Sequence, residues 1–154
     1  MTDAPRPTVK LSVQRLAHAR DLPLPSYASS GAAGLDLLAA VRDDVVLAPG
    51  ERRTIETGLV VAVPPGFEGQ VRARSGRARR EGLALVNAPG TIDDDYRGEV
   101  MVLVINLGQE PITVRRGERF AQLVICPVFR AEVVEVEALD ETTRGAGGFG
   151  STGR

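Results

Sequence analysis

An all-β fold is predicted by three features of this sequence. Apolar residues recur with period two along much of the chain, and the runs that carry this alternation are short. Gly or Pro turns stand between many of them, at residues 48–50, 64–66, 88–90 and 116–117. Successive side chains of a strand point to opposite faces, so alternation is what a half-buried strand requires. Many short strands punctuated in this way fold as a sandwich, a jelly roll or a barrel. The pattern alone leaves these three open.

The elements follow in order. Val9, Leu11 and Val13 share one face of a first strand, with Lys10, Ser12 and Gln14 on the other. Further strands are predicted at residues 35–40, 45–47, 53–57, 59–63 and 70–74, then at 84–86, 100–107, 112–115, 120–128 and 132–138. One brief helix is expected at 76–81, rich in Arg and too short to stand without packing. No repeat period is present. The chain therefore divides into a β domain over residues 1–139 and a C-terminal segment over 140–154, whose five glycines make its free state flexible. Arg144 and Phe149 are side chains that a plain linker does not require.

Composition narrows the function classes. At 154 residues, 43% hydrophobic and 25% charged, the chain suits a single globular domain with a core of its own. A net charge of −1 supplies no global field to recruit nucleic acid or an anionic membrane, so neither is expected as a partner. The amino terminus, with Asp3, Pro5 and Pro7, lacks the basic-then-apolar pattern of a signal peptide, and no later run is long enough for a membrane helix. A soluble, cytoplasmic protein is expected. The single Cys126 excludes an intramolecular disulfide and a multi-cysteine zinc site. Its apolar neighbours suggest a buried, inert thiol. The single His18 reads as a surface residue.

The stretch richest in chemistry is Gly90-Thr91-Ile92-Asp93-Asp94-Asp95-Tyr96-Arg97-Gly98-Glu99. Three consecutive carboxylates repel one another and raise one another's pKa, a crowding tolerated where a cation, a metal or a reaction needs it. An acidic solvated turn is the usual fate of such a run, but Ile92, Tyr96 and Val100 are untypical of one. Opposite in sign, Arg72, Arg74, Arg77, Arg79 and Arg80 fall within nine residues. Among them, Arg74-Ser75-Gly76 ends a strand and opens the helical turn, offering a guanidinium, a hydroxyl and main-chain N–H groups to an anion. Asp36 stands between two leucines in Ala33-Gly34-Leu35-Asp36-Leu37. Gln122 stands inside an apolar pattern in Gly117-Glu118-Arg119-Phe120-Ala121-Gln122-Leu123. Taken singly, these are a turn cap, an N-cap and a strand-edge amide.

Taken together, with the C-terminal Arg144-Gly145-x-Gly147-Gly148-Phe149-Gly150-Ser151-Thr152-Gly153, they resemble the five ordered motifs of the trimeric dUTP pyrophosphatases (dUTPases). The resemblance spans residues 11–153. It implies a jelly-roll-like β-clip domain and hydrolysis of dUTP to dUMP and pyrophosphate, by attack of water on the α-phosphorus with Mg2+ across the triphosphate. Such an activity keeps uracil out of DNA and supplies dUMP for thymidylate synthesis. In that likeness Asp93 resembles the general base. Asn87, Thr91, Ile92 and Met101 fall in the nucleoside site, where the hairpin from Asn87 to Asp93 turns main-chain groups to uracil. Tyr96 resembles the ring that packs under the deoxyribose and leaves no room for a 2′-hydroxyl. Arg74, Ser75, Gly76 and Gln122 resemble phosphate contacts. Asp36 resembles a carboxylate that acts through water near the metal or orients an arginine, so no direct protein ligand to Mg2+ is expected. The tail resembles a mobile lid in which Phe149 stacks on uracil, Arg144 meets the γ-phosphate, and Gly150, Ser151 and Thr152 complete the phosphate site. A homotrimer with active sites shared between subunits is implied as well.

Two positions depart from the family pattern. Ala73 replaces the common Pro before the motif arginine, and Arg77 replaces an apolar residue after Gly76, which raises an added basic contact from Arg77. Strict alternation also puts Asp93 and Tyr96 on opposite faces, so the chain has to turn or bulge near Asp94-Asp95 for both to meet one nucleotide. The rival functions are a dCTP deaminase, a bifunctional deaminase–dUTPase, and a module that holds dUTP without turnover. Asp95-Tyr96-Arg97-Gly98-Glu99 and the complete tail motif favour the monofunctional hydrolase.

Overall fold

A computed structural model describes residues 7–148. Ten strands and one helix follow one another along the chain. They are β1 (Ser12–Arg15), β2 (Leu35–Leu38), β3 (Val45–Leu47), β4 (Arg52–Ala62), β5 (Phe67–Ala73), α1 (Ser75–Glu81), β6 (Leu83–Leu85), β7 (Gly90–Ile92), β8 (Glu99–Asn106), β9 (Ile112–Val114) and β10 (Arg119–Pro127). They form two four-stranded sheets, ordered β1-β4-β8-β6 and β2-β10-β5-β7, and a small β3-β9 sheet. Every pairing is antiparallel. All three sheets feed one core. Ile55 and Val61 of β4, Val102 and Val104 of β8, Leu37 of β2, Phe120 and Leu123 of β10, and Leu47 and Val114 of the small sheet are buried together. Fully burying an aliphatic or aromatic side chain of this kind contributes about 1.5–3 kcal/mol, which fixes which face of each strand looks inward.

Alternation and turn punctuation located most strands to within two residues. Four readings need correction. The first strand lies at Ser12–Arg15, and Val9 is exposed outside it. The two runs at 53–57 and 59–63 are one continuous strand, β4. Residues 90–92, read as part of a turn, form the short strand β7 against β5. Residues 132–138, whose alternation is as regular as any, form no strand. They run exposed, with Val133 92% accessible, because no neighbouring strand in the chain offers them a ladder.

The join within β4 is a bulge. Between the pairs Glu56–Met101 and Val60–Glu99, β4 has three residues where β8 has one. Side chains satisfy the interrupted ladder: Thr57 Oγ1 donates to the Val100 carbonyl at 2.6 Å, and the Gly58 N–H donates to Glu99 Oε1 at 2.7 Å. Gly58 sits at φ +65°, and a Cβ there would collide with the methyl of Ala19. His18, next to Ala19 in a 3-10 turn (Ala17–Ala19), completes the bulge with Nε2 3.2 Å from Glu99 Oε1. It is therefore a partly buried partner of the bulge and not the surface residue expected. Cys126 is likewise half-buried, not buried. No helix among the described residues is long and apolar enough to cross a membrane.

Gly58→Ala combines left-handed strain with overpacking against Ala19, so it is expected to destabilise the fold by about 2–4 kcal/mol. Denaturant midpoints measure the loss, and adding Ala19→Gly should recover the packing part but not the strain.

Candidate active site

The motif around the aspartates straddles the seam between the two large sheets. The chain leaves the first sheet at the end of β6, crosses through residues 86–89, and enters the second sheet as β7. It then turns at 93–98 and returns to the first sheet as β8. The segment expected as a hairpin is therefore not paired with itself: β7 pairs with β5, and Val86 N–H donates to the Leu103 carbonyl of β8. As the last strand of its sheet, β7 has one row of main-chain groups with no strand partner.

A cavity of about 140 Å3 opens at this seam, and Asn87, Thr91, Ile92, Tyr96 and Met101 all line it. Gly90 and Glu99 line it too. Tyr96 owes its position to two neighbours. Its hydroxyl donates to the Glu99 carbonyl at 2.9 Å, and a Cβ on Gly98 would run into that hydroxyl. The ring is 43% exposed, so one side of it remains open. Glu99 thus connects the cavity to the β4 bulge, since the residue whose carbonyl holds Tyr96 has its carboxylate on Gly58 and His18.

The turn that alternation demanded is present. Tyr96 N–H closes on the Asp93 carbonyl at 3.2 Å with Asp94 and Asp95 at the corner, and Arg97 donates to the Asp94 and Tyr96 carbonyls at 2.7 and 2.8 Å. Arg97 thereby locks the main chain of the turn. Asp93 is exposed and lines an adjacent depression with Phe67, Asp95 and Arg130. Thr91 borders both hollows. One chain by itself sets Asp93 next to the Tyr96 cavity, not inside it.

A second cluster gathers where β5 ends. Arg74 precedes α1, and Ser75 and Gly76 are its exposed first residues. Asp36, on β2, holds Arg74 Nε at 2.9 Å and Arg119 Nη1 at 3.2 Å, while Arg74 Nη1 donates to the Arg119 carbonyl at 3.1 Å. Only 13% of the Asp36 side chain is exposed, so its charge is spent on these two guanidinia. Gln122 lies opposite Asp36 in the β10–β2 register, donates to the Ala73 carbonyl at 2.9 Å, and fills the space left by Gly34. Arg74, Ser75, Gly76, Asp36 and Gln122 therefore form one group, apart from the seam cavity. Arg144 closes a local turn on the Gly147 carbonyl at 2.9 Å. Phe149, Gly150, Ser151 and Thr152 lie outside the described residues.

Arg77 does not add a basic contact at the phosphate loop. It is 8% exposed and points into the protein, where Nε donates to Glu81 at 2.9 Å, Nη1 to Glu118 at 3.1 Å and Nη2 to the Thr113 carbonyl at 3.1 Å. A charge at that depth persists only when paired and hydrogen-bonded. Arg77 thus fastens α1 to β9 and to the turn before β10. Sequence reasoning also missed Glu99, Gly98 and Arg119 as parts of the site. Their proximity to the motif residues was visible, but their partners were not.

Comparison with known proteins identifies this arrangement. A dUTPase variant of Staphylococcus bacteriophage 80alpha, solved with dUpNHpp, has a TM-score of 0.85 at 27% identity, covering 96% of this chain and 100% of that one. A dUTPase variant from phage phi11 of S. aureus, whose structure describes the coordination of a structural Mg(II) ion, has a TM-score of 0.75 at 25% identity, covering 84% and 98%. The fold is thus the jelly-roll-like β-clip expected. Over 145 residues the sequence is 60% identical to a deoxyuridine 5'-triphosphate nucleotidohydrolase of Methylocella silvestris, covering 93% of this chain and 91% of that one. Residues 20–153 match the family model for dUTPase. The chain belongs to the dUTPase family.

Arg77→Met keeps the bulk of the side chain but takes from Glu81 and Glu118 their buried cation. Each keeps one longer pair, Glu81 with Arg80 and Glu118 with Arg115, both at 3.4 Å, so the variant should lower stability by about 1–3 kcal/mol, whereas Arg79→Ala on the exposed face of α1 should stay within about 0.5 kcal/mol. Thermal unfolding of both variants checks the contrast.

Proposed function

We propose that this chain is a dUTP diphosphatase that hydrolyses dUTP to dUMP and pyrophosphate, limiting uracil entry into DNA and supplying dUMP. The observation that carries the reading is the seam cavity. One wall is the unpaired edge of β7, Tyr96 stands beside it, and Asp93 lies just before the turn that leads to Tyr96. An edge of fixed main-chain donors and acceptors suits the polar edge of uracil. Against cytosine the same groups would be left unpaired, which is how such a site discriminates strongly. Tyr96 covers the sugar and excludes a 2′-hydroxyl, with Met101 and Ile92 closing the apolar side.

In the reaction a water oxygen bonds to the α-phosphorus while the bond from that phosphorus to the β-bridging oxygen breaks, and pyrophosphate leaves. Asp93 orients the water and accepts its proton. Arg74, Ser75, Gly76 and Gln122 bind phosphate oxygens, and Asp36 keeps Arg74 aimed at them. Among the described residues no three His, Cys, Asp or Glu side chains converge as metal ligands, and Asp36 is already engaged by two arginines. Such a donor set fits a Mg2+ held by phosphates and water, as this ion commonly is. When bound it would offset charge on the triphosphate.

The site is completed by other copies of the chain. None of Asp36, Arg74, Ser75, Gly76 and Gln122 lines the seam cavity, so one chain alone does not bring the two groups to one pocket. A division of this kind suits active sites shared between the subunits of a homotrimer. Residues 1–139 form the β domain, and 140–154 act as a lid carrying Arg144, Phe149, Gly150, Ser151 and Thr152 over the nucleotide. Closure of such a segment would exclude water. A free nucleotide as substrate is consistent with a cytoplasmic location.

Pyrophosphate release from dUTP, dCTP, dTTP and UTP with Mg2+ tests the reading, and only dUTP should respond. Ammonia released from dCTP would instead indicate a deaminase, and dUTP binding without turnover a non-catalytic module. Asp93→Asn keeps the shape and removes the base, so kcat should fall by about 10^2–10^4 while dUTP affinity stays within about threefold. Equal losses of binding and turnover would refute the role given to Asp93.

A further inference from the structure

Gly76 has a neighbour that the motif pattern does not assign. Arg80 lies one turn further along α1, and side chains on a helix lean toward its N-terminus, over the residue four positions earlier. The Arg80 guanidinium does so here: its Nη1 lies 3.2 Å from where a Cβ on Gly76 would sit. The missing side chain at Gly76 makes the room. Arg80 is also poorly compensated. Among the described residues its one acidic partner is Glu81, whose Oε1 stands 3.4 Å from Nη2, while Glu81 Oε2 is taken up by the buried Arg77. The Arg80 side chain is 68% exposed.

This guanidinium borders an open groove of about 890 Å3 that also touches Arg74, Arg79, Arg115 and Arg119, against the carboxylates of Glu81, Glu110 and Glu118. Arg74 and Arg119 share the single carboxylate of Asp36, so their combined charge exceeds its own. The excess of positive charge faces solvent next to Ser75 and Gly76. A guanidinium presents a planar fork of N–H donors that matches phosphate oxygens.

We propose that Arg80 is a further binding residue for the terminal phosphates of the substrate, folding over Gly76 to form a pair of guanidinia with Arg74. The inference rests on the dUTP reading above and adds to it a residue outside the five motifs. Arg77, three positions earlier, is bound inward by two carboxylates. Arg80 projects outward, so α1 divides its arginines between holding the loop and meeting the ligand.

Calorimetric titration of the full-length protein with dUpNHpp and with dUMP, which lacks the β- and γ-phosphates, tests the assignment. Arg80→Gln should weaken dUpNHpp binding about tenfold, the size of one charge-assisted contact, and change dUMP binding less than about threefold. Arg80→Lys should recover only part of the lost dUpNHpp affinity, because the positive charge remains while the planar fork is gone. Unchanged dUpNHpp affinity in Arg80→Gln, or equal weakening of both ligands, would overturn the proposal. If the wild-type chain failed to turn over dUTP, the functional reading itself would fall. Wild-type turnover with an unaltered Arg80→Gln would remove only this residue's role.

Discussion

Two sheets share one core without being joined along every edge, and the site follows from that constraint. The chain has to cross between them, and it does so through residues 86–89, between two very short strands. Short edge strands leave main-chain groups unpaired, a liability that proteins usually cover or blunt. Here the exposed edge of β7 and the wall of β8 enclose a cavity. The same seam requires the turn at Asp94-Asp95, and the turn sets Tyr96 and Asp93 in adjoining hollows. Glu99 then carries the geometry inward, linking the cavity to a bulge on the far side of β8.

Charge is distributed by the same logic. Most carboxylates near the second cluster are already occupied: Asp36 by Arg74 and Arg119, Glu81 and Glu118 by Arg77. These pairs orient the cations and leave little negative charge facing the groove. An unpaired carboxylate at the same place would repel the polyphosphate proposed to bind there. The contribution of such partly exposed pairs to folding is small in any case. Arg77 is the exception, because its burial makes its partners obligatory.

Much of this was legible in the sequence, and the failures have physical causes. β3 was located to the residue, and β8, β9 and β10 to within one, because their alternation is flanked by Gly or Pro turns, while β5 begins three residues before its expected start. The segment 132–138 alternates just as clearly, yet alternation records only a suitable surface, and a strand also needs a partner to pair with. β7 escaped detection because three residues starting with Gly carry too little pattern. In the site, the ordered motifs indicated the family, and Asp36 is found paired with Arg74 and Arg119. The fate of Arg77 could not be read, because Glu118 and Thr113 lie 41 and 36 residues away. His18 was misjudged for the same reason, its partner Glu99 being 81 residues distant.

The β4 bulge has a consequence for how this strand can vary in length. It inserts two residues relative to β8, an even number, so the identity of each face is conserved across it. Ile55 before the bulge and Leu59 and Val61 after it all remain inside. A single-residue insertion or deletion anywhere in this stretch would change the parity and turn Leu59 and Val61 to solvent, carrying the β1 pairing with them. Gain or loss in pairs would keep the inner face intact. The strand that anchors Glu99 is thereby constrained in its arithmetic as well as in its residues.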